Sequence, residues 1–177
     1  KLLNLERLRS LSKRDADSGN AVSILPDATA FVLVSDDGLE VKISHRALIN
    51  RMAWFWRVYP FRIGQIAYAH HPINSSHFIY ELLVPLLEGI PVVLADEQTA
   101  SQPRQVLKQL ASNRVSRITL EVASLRLLMD ALQTDEELDL LNLRHCFCYG
   151  GIESEDLLKF QKWIPDANLI GFYGAME

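Results

Sequence analysis

Beyond residue 64, short apolar runs and amphipathic stretches alternate along the chain. Extended segments are predicted at 65–69, 90–95, 116–120, 145–149 and 168–172. Helices are predicted at 76–87, from 101 onward, at 123–132 and at 154–163. Strands separated by helices cannot close tight hairpins; they run parallel, and a parallel sheet needs cover on both faces. The expected fold class is therefore α/β, a mainly parallel sheet flanked by helices. Local chemistry agrees with the assignments. Pro103 suits a first helical turn, with Val106, Leu107 and Leu110 as its inward stripe, and Gly89 ends the helix that carries Pro85. Thr134-Asp135-Glu136-Glu137 has capping-box spacing ahead of a leucine-rich turn. Ligands on such sheets gather at the carboxyl ends of strands, which singles out the loops after Val34, Ala69, Leu120, Tyr149 and Phe172.

The stretch before this alternation reads as strand, turn, second extended segment and helix. The apolar run Ala30 to Val34 is followed by Ser35-Asp36-Asp37-Gly38-Leu39-Glu40, then Val41-Lys42-Ile43 and a helix over 44–54. Leu48, Met52 and Phe55 recur at helical spacing, and one of Trp54 and Trp56 is expected to anchor this helix on the sheet, the other to lie at a domain contact. A loop in this place can cradle phosphate, because glycines let backbone N–H groups converge on an anion. This loop has a single glycine among two aspartates and a glutamate. Three carboxylates repel a triphosphate, and one glycine gives little freedom to wrap it. Leucines at 2, 5, 8 and 11 mark a helix that is expected to pack on its own domain. A polar linker ends near residue 20, so the chain divides into 1–20 and an α/β domain over 21–177.

Composition narrows the functional classes. A net charge of −4 and a pI near 5.7 argue against nucleic acid or an anionic membrane as partner. No apolar run approaches the roughly 20 residues of a membrane span, and no signal peptide is visible, so a reduced, cytoplasmic chain is expected. Cys146 and Cys148 lie two apart in a strand, where alternation is expected to give them opposite or differently buried sites and no mutual disulfide. His70, His71, His77, His145 and the two cysteines invite a metal reading. Cys-x-Cys in a strand lacks zinc spacing, and adjacent histidines seldom chelate one ion. Solvated loop histidines, a core cysteine and no metal are expected. No third group positions a Cys/His nucleophile pair, so no catalytic residue is assigned.

The loops at the strand ends carry a family resemblance. His45-Arg46-Ala47-Leu48-Ile49-Asn50-Arg51 with Trp54-Phe55-Trp56 and Tyr59-Pro60-Phe61 looks like the amino-acid-activating branch of the adenylate-forming superfamily that includes Ebony-type β-alanyl-amine synthetases. Leu86-Leu87-Glu88-Gly89-Ile90-Pro91-Val92-Val93 is similar to the "PLL-G-PVV" segment. Val115-Ser116-Arg117-Ile118 with Ala123-Ser124-Leu125 resembles "VTRL…PSLL". Leu143-Arg144 with Tyr149-Gly150-Gly151 resembles "LR…GGE", and Phe172 to Glu177 resembles the closing "YG-TE". The order of these blocks implies part of the large N-terminal subdomain of an adenylation domain.

Such enzymes make an acyl-adenylate from ATP and a carboxylate, then pass the acyl group to a thiol, often on a carrier domain. The resemblance departs from the family where that chemistry lives. The phosphate loop, near T-S-G-S-T-G-K-P-K-G, is replaced by residues 35–40, with Lys42 surviving beyond it. His77 stands where the amino-acid branch has the aspartate that grips the substrate ammonium, Gly151 replaces the glutamate of "GGE", and Met176 replaces a threonine. Gly150 beside adenine, Tyr173 as a ring beneath it and Glu177 as a Mg²⁺ ligand are retained. The resemblance stops at Glu177, ahead of the family's ribose-binding aspartate, hinge and lysine-bearing domain. The reading that follows is a truncated, degenerate adenylation-like domain. It needs no cofactor and docks with neighbouring synthetase or carrier-protein domains. The alternatives are an ATP- and Mg²⁺-dependent ligase completed by other domains, or a module that binds ATP or AMP without turnover.

Overall fold

In the computed structural model, the structure describes residues 23–34, 38–133 and 140–172. The amino-terminal helix and linker, the 134–137 capping box, and Tyr173 to Glu177 lie outside them. Strands β1 (Thr29–Val34) and β2 (Glu40–Ser44) pair antiparallel, with Val34 opposite Glu40. Ser44 ends β2 and caps helix α1 (His45–Val58), its hydroxyl accepting the Ala47 N–H at 3.2 Å. Leu48 and Met52, one turn apart, face inward. The helix runs four residues past the predicted end because Phe55 and Trp56 continue its packed face. Pro60 then disfavours helical geometry at Tyr59.

Strand β3 (Ala67–Ala69) is followed by helix α2 (Ser76–Leu86) and strand β4 (Val92–Leu94). Helices α3 (Glu97–Ala100) and α4 (Pro103–Ser112) lead to strand β5 (Arg117–Glu121), then helix α5 (Val122–Gln133). Strand β6 (His145–Tyr149), helix α6 (Ser154–Trp163) and strand β7 (Asn168–Phe172) complete the described chain. Its five-stranded sheet has the order β4-β3-β5-β6-β7, every pair parallel, as the alternation requires.

Two predicted strands are trimmed. Pro91 has no N–H to give a ladder, and Ile66 donates its own to the Ser116 hydroxyl at 3.0 Å. The short α3 was not anticipated; Asp96 caps it by accepting the Thr99 N–H at 2.7 Å.

Strand alternation divides the side chains of β5 and β6 between two interiors. Ile118, Leu120, Cys146 and Cys148 face Leu107, Leu125, Met129 and Phe160 in the main core. The cysteines therefore share one face, contrary to expectation, because residues two apart in a strand point the same way. Both are buried free thiols. On the opposite face, Leu48 and Met52 of α1 meet Ile79 and Val84 of α2, with the β1–β2 hairpin packed against them. Of the tryptophans, Trp54 meets the sheet as expected of one of them, its ring 6.1 Å from that of Phe172 on β7, but Trp56 packs within the domain and not at a domain contact. Phe55 packs on the sheet, its ring 5.2 Å from Phe147, whereas Trp56 Nε1 donates to the Val84 carbonyl at 2.8 Å and so ties α1 to α2. Trp54 stacks edge-on against Phe55 and Tyr59.

Arg117 is buried, and among the described residues it has no carboxylate partner. Its guanidinium donates to the Tyr59 carbonyl at 2.7 Å, to the Pro60 carbonyl and to Gln65 Oε1 at 3.1 Å, and lies 3.8 Å from the Phe61 ring centre. Burial draws its pKa down to about 10, so it remains charged at neutral pH. One side chain thus pins the whole α1–β3 connection to the sheet. Arg117→Leu is expected to lower unfolding free energy by about 2–4 kcal/mol, since it leaves buried carbonyls unpaired. Urea denaturation measures this, and a change below about 1 kcal/mol would remove Arg117 from that role.

Helix α6 is joined to α5 by a second device. Asp156 accepts the Glu153 N–H at 2.9 Å and two bonds from Arg126, at 2.8 and 2.9 Å. The Arg126 guanidinium holds the Asp156 pKa down at about 2 against an ordinary 3.8. A depressed folded-state pKa stabilises above the ordinary value, and that contribution is lost as pH falls from 3.8 through about 2. Asp156→Asn should lose about 1 kcal/mol at pH 7, discounted because Arg126 is half-exposed. The gap between variant and parent should close over that acid window in pH-dependent denaturation.

Candidate functional site

The second interior contains a cavity of about 90 Å³ between α1, α2 and the sheet. Its floor is the outward set of the central strands, Arg117 and Thr119 of β5 and Phe147 and Tyr149 of β6. Arg51 of α1, His77 and Tyr80 of α2, and Phe172 at the end of β7 close it. The walls are largely aromatic. Phe147 and Phe172 stack at 5.6 Å, and His77 lies flat on Tyr149 at 3.9 Å. The Arg51 guanidinium sits 5.4 Å from the Tyr80 ring centre and 5.9 Å from that of Phe172.

A polar network lies at one edge, built on Glu81. This carboxylate is buried on α2 although the helix is otherwise strongly apolar. Its Oε2 accepts the backbone N–H groups of His70 and His71, at 3.1 and 3.2 Å, just after β3 ends. Oε1 receives the His71 Nδ1 proton at 2.8 Å, and His71 Nε2 meets the Tyr149 hydroxyl at 2.7 Å. Burial alone would raise the Glu81 pKa, but the imidazoles of His70 and His71 outweigh it and hold it below its ordinary value. Tyr149 is pushed up by burial and by the Glu121 carboxylate within hydrogen-bond reach, so it keeps its proton. The network links β3, α2 and β6 through one ionised group.

His77, predicted for the substrate pocket, does line the cavity. Burial, reinforced by His71, lowers its pKa to about 4 and leaves it neutral at pH 7. Gly150 follows β6 with φ of +104°, and a Cβ there would stand 3.0 Å from Val122 Cγ1. Lys42 is exposed on β2 opposite Val32 and is not in the cavity wall. Tyr173 and Glu177 lie outside the described residues. His70 and His71 are not the solvated loop histidines expected: their side chains are 10% and 11% exposed, because the Glu81 bonds fold the loop inward. The available signal was Glu81 itself, a lone acid in an apolar helix that must find donors.

Comparison with known proteins follows the same lines. Residues 40–177 match the family described as AMP-binding enzyme. Vanchrobactin synthetase VabF of Vibrio anguillarum is 22% identical over 99% of this chain but only 6% of its own length. The β-alanyl-bioamine nonribosomal peptide synthetase ebony of Drosophila melanogaster is 23% identical over 77% of the chain and 16% of its own. A crystal structure of the nonribosomal peptide synthetase FmoA3 with AMPPNP bound superposes with a TM-score of 0.80 at 19% identity. That match covers 94% of this chain and 18% of the other. The chain thus spans a small part of the relatives it matches. Among the described residues, no helix is long and apolar enough to cross a membrane.

Replacing Glu81 tests the network. Glu81→Ala leaves two backbone donors and an imidazole unpaired and should destabilise the fold by about 3–5 kcal/mol. Glu81→Gln keeps an oxygen for the backbone pair and should lose less than half of that. Thermal and urea denaturation of both variants read the difference; equal losses would show that acceptor geometry does not matter.

Proposed function

This chain belongs to the AMP-binding enzyme family, and on that premise we propose that it is a catalytically silent adenylation-like domain of a nonribosomal-peptide-synthetase-like protein, acting as a platform for neighbouring synthetase or carrier-protein domains. The β1–β2 register carries the proposal. Val34 pairs with Glu40, so residues 35–39 are the whole connection where the family's phosphate loop is expected. Five residues that include Asp36 and Asp37, with Glu40 at the exit, are short and negatively charged. Enclosing a triphosphate takes a longer run of backbone donors, with positive charge opposite the anion. Electrostatic stabilisation is usually the largest catalytic contribution, so a domain without it retains shape rather than rate.

The cavity supports the same reading. Neutral His77 cannot pair with a substrate ammonium as a carboxylate does, and Arg51 and Arg117 in the same wall repel it. Glu81 is the cavity's carboxylate, and the loop after β3 engages both its oxygens.

A second reading, adenine-nucleotide binding without turnover, rests on Gly150. Its φ of +104° and the 3.0 Å at which a Cβ would meet Val122 restrict to glycine the position that the family has beside adenine. In that case Tyr173 stacks on the base, Glu177 meets Mg²⁺ and Lys42 approaches the phosphates.

Two measurements separate these readings. Carboxylate-dependent pyrophosphate exchange should be undetectable across the proteinogenic amino acids and β-alanine, and a positive signal overturns the silent-domain proposal. Calorimetric titration with ATP·Mg²⁺ and with AMP should give no preference for the triphosphate. Equal binding that Tyr173→Ala abolishes establishes the second reading. Tighter binding of ATP·Mg²⁺ would show that the acidic hairpin does accept phosphates.

A further inference from the structure

We propose that His70, His71 and Glu81 form a binding site for one divalent transition-metal ion, zinc above all, at the carboxyl end of β3. The ligand atoms already converge. One nitrogen of each imidazole and one Glu81 oxygen lie within 4.8 Å of one another. His71 Nδ1 stands 2.8 Å from Glu81 Oε1 and His70 Nδ1 stands 3.4 Å from the same oxygen. Zinc bound tetrahedrally at about 2.0–2.1 Å has ligand–ligand edges of about 3.3 Å, between these two separations. The remaining edge, between the two imidazole nitrogens, is no longer than 4.8 Å, so the rings must turn toward each other to close around the ion.

Hydrogen bonding alone leaves this cluster incomplete. His71 satisfies Oε1 at 2.8 Å, whereas the buried His70 Nδ1 is left 3.4 Å from the same oxygen, close enough for electrostatic attraction but without the geometry of a hydrogen bond. The His70 side chain is 10% exposed, so water does not replace the missing partner freely. A single proton serves two of the three groups. A metal ion serves all three.

The surroundings are those of a preorganised site. Glu81 Oε2 is held by the two backbone N–H groups, which fixes Oε1 toward the imidazoles. His71 Nε2 faces the Tyr149 hydroxyl at 2.7 Å, the outer-shell partner that ligating histidines require. When Nδ1 gives its lone pair to the ion, the His71 proton moves to Nε2 and is donated to Tyr149. The Tyr149 proton turns to Glu121, so the network stays satisfied without net proton loss. Two imidazoles and one carboxylate suit zinc, whereas Mg²⁺ and Ca²⁺ prefer shells of six or more oxygens. Three protein ligands leave a fourth position for water, on the side where His70 and His71 line an open groove with Glu97 and Ser101. Arg51, a cation of the cavity wall, is held at Tyr80 and Phe172 instead.

The test uses the full 177-residue chain, stripped with a chelator and titrated with Zn²⁺ against a chromophoric competitor. One equivalent is expected to bind. His70→Ala and His71→Ala should each weaken binding by at least about 100-fold, Tyr149→Phe by about tenfold, and His145→Ala not at all. His70→Ala is the decisive variant, because the Nδ1 it removes has no hydrogen bond to lose, and circular dichroism checks that it is folded. Co²⁺ should give the absorption of tetrahedral nitrogen and oxygen ligation without a thiolate charge-transfer band. Absence of stoichiometric binding, undiminished binding by folded His70→Ala, or a thiolate band would each overturn the proposal.

Discussion

The period of two in β5 and β6 is the constraint on which the rest of the molecule depends. Every second side chain of these central strands enters the main core, under α4, α5 and α6. The intervening ones, Arg117, Thr119, Phe147 and Tyr149, form the floor of the cavity under α1 and α2. A parallel sheet buried on both faces has no solvent side for polar residues. Arg117 and Tyr149 are therefore tolerated only because each finds partners inside, backbone carbonyls for one and His71 for the other. A slip of one residue in β5 would exchange its two sets and place the Arg117 guanidinium in the apolar core, and a slip in β6 would do the same to Tyr149. Core and cavity are thus two consequences of one register.

Glu81 converts that architecture into a site. A buried carboxylate is unfavourable unless donors surround it, and the donors come from the first loop residues beyond β3. The loop is consequently drawn inward over the strand end, where the imidazoles gather. The same bonds that make the acid tolerable orient His71 toward Tyr149, so α2, β3 and β6 are coupled at the edge of the cavity. Truncating any one member leaves the others desolvated and unpaired, the asymmetry that makes buried networks rigid.

Much of this was legible in the chain. The alternation of apolar runs with helical stretches gave the parallel sheet, and the motif order gave the family, because both depend on local periodicity. The differences have separate causes. Cys146 and Cys148 share one face of β6 as a direct result of their spacing, which strand periodicity alone reports. His70 and His71 were read as solvated because nothing local to them signals burial; the burying group is Glu81, ten residues on and brought back by the β3–α2 turn. Arg51 and Phe172 meet across elements far apart in sequence. Periodicity reports which face a residue occupies, but not which distant group waits there.

The hairpin and the cavity point to a separation between what maintains this fold and what makes it react. Core packing, the Arg117 anchor and the Glu81 network lie within the described residues and involve none of the groups that handle phosphate. A phosphate loop contributes little to folding, since its glycines and converging donors are organised for an anion, and loops of that kind carry a large entropic cost when ordered. A short hairpin between Val34 and Glu40 has fewer residues to order. A loop of this fold that makes no phosphate contacts therefore need not weaken the domain. Stability and phosphate chemistry thus place opposite demands on this loop.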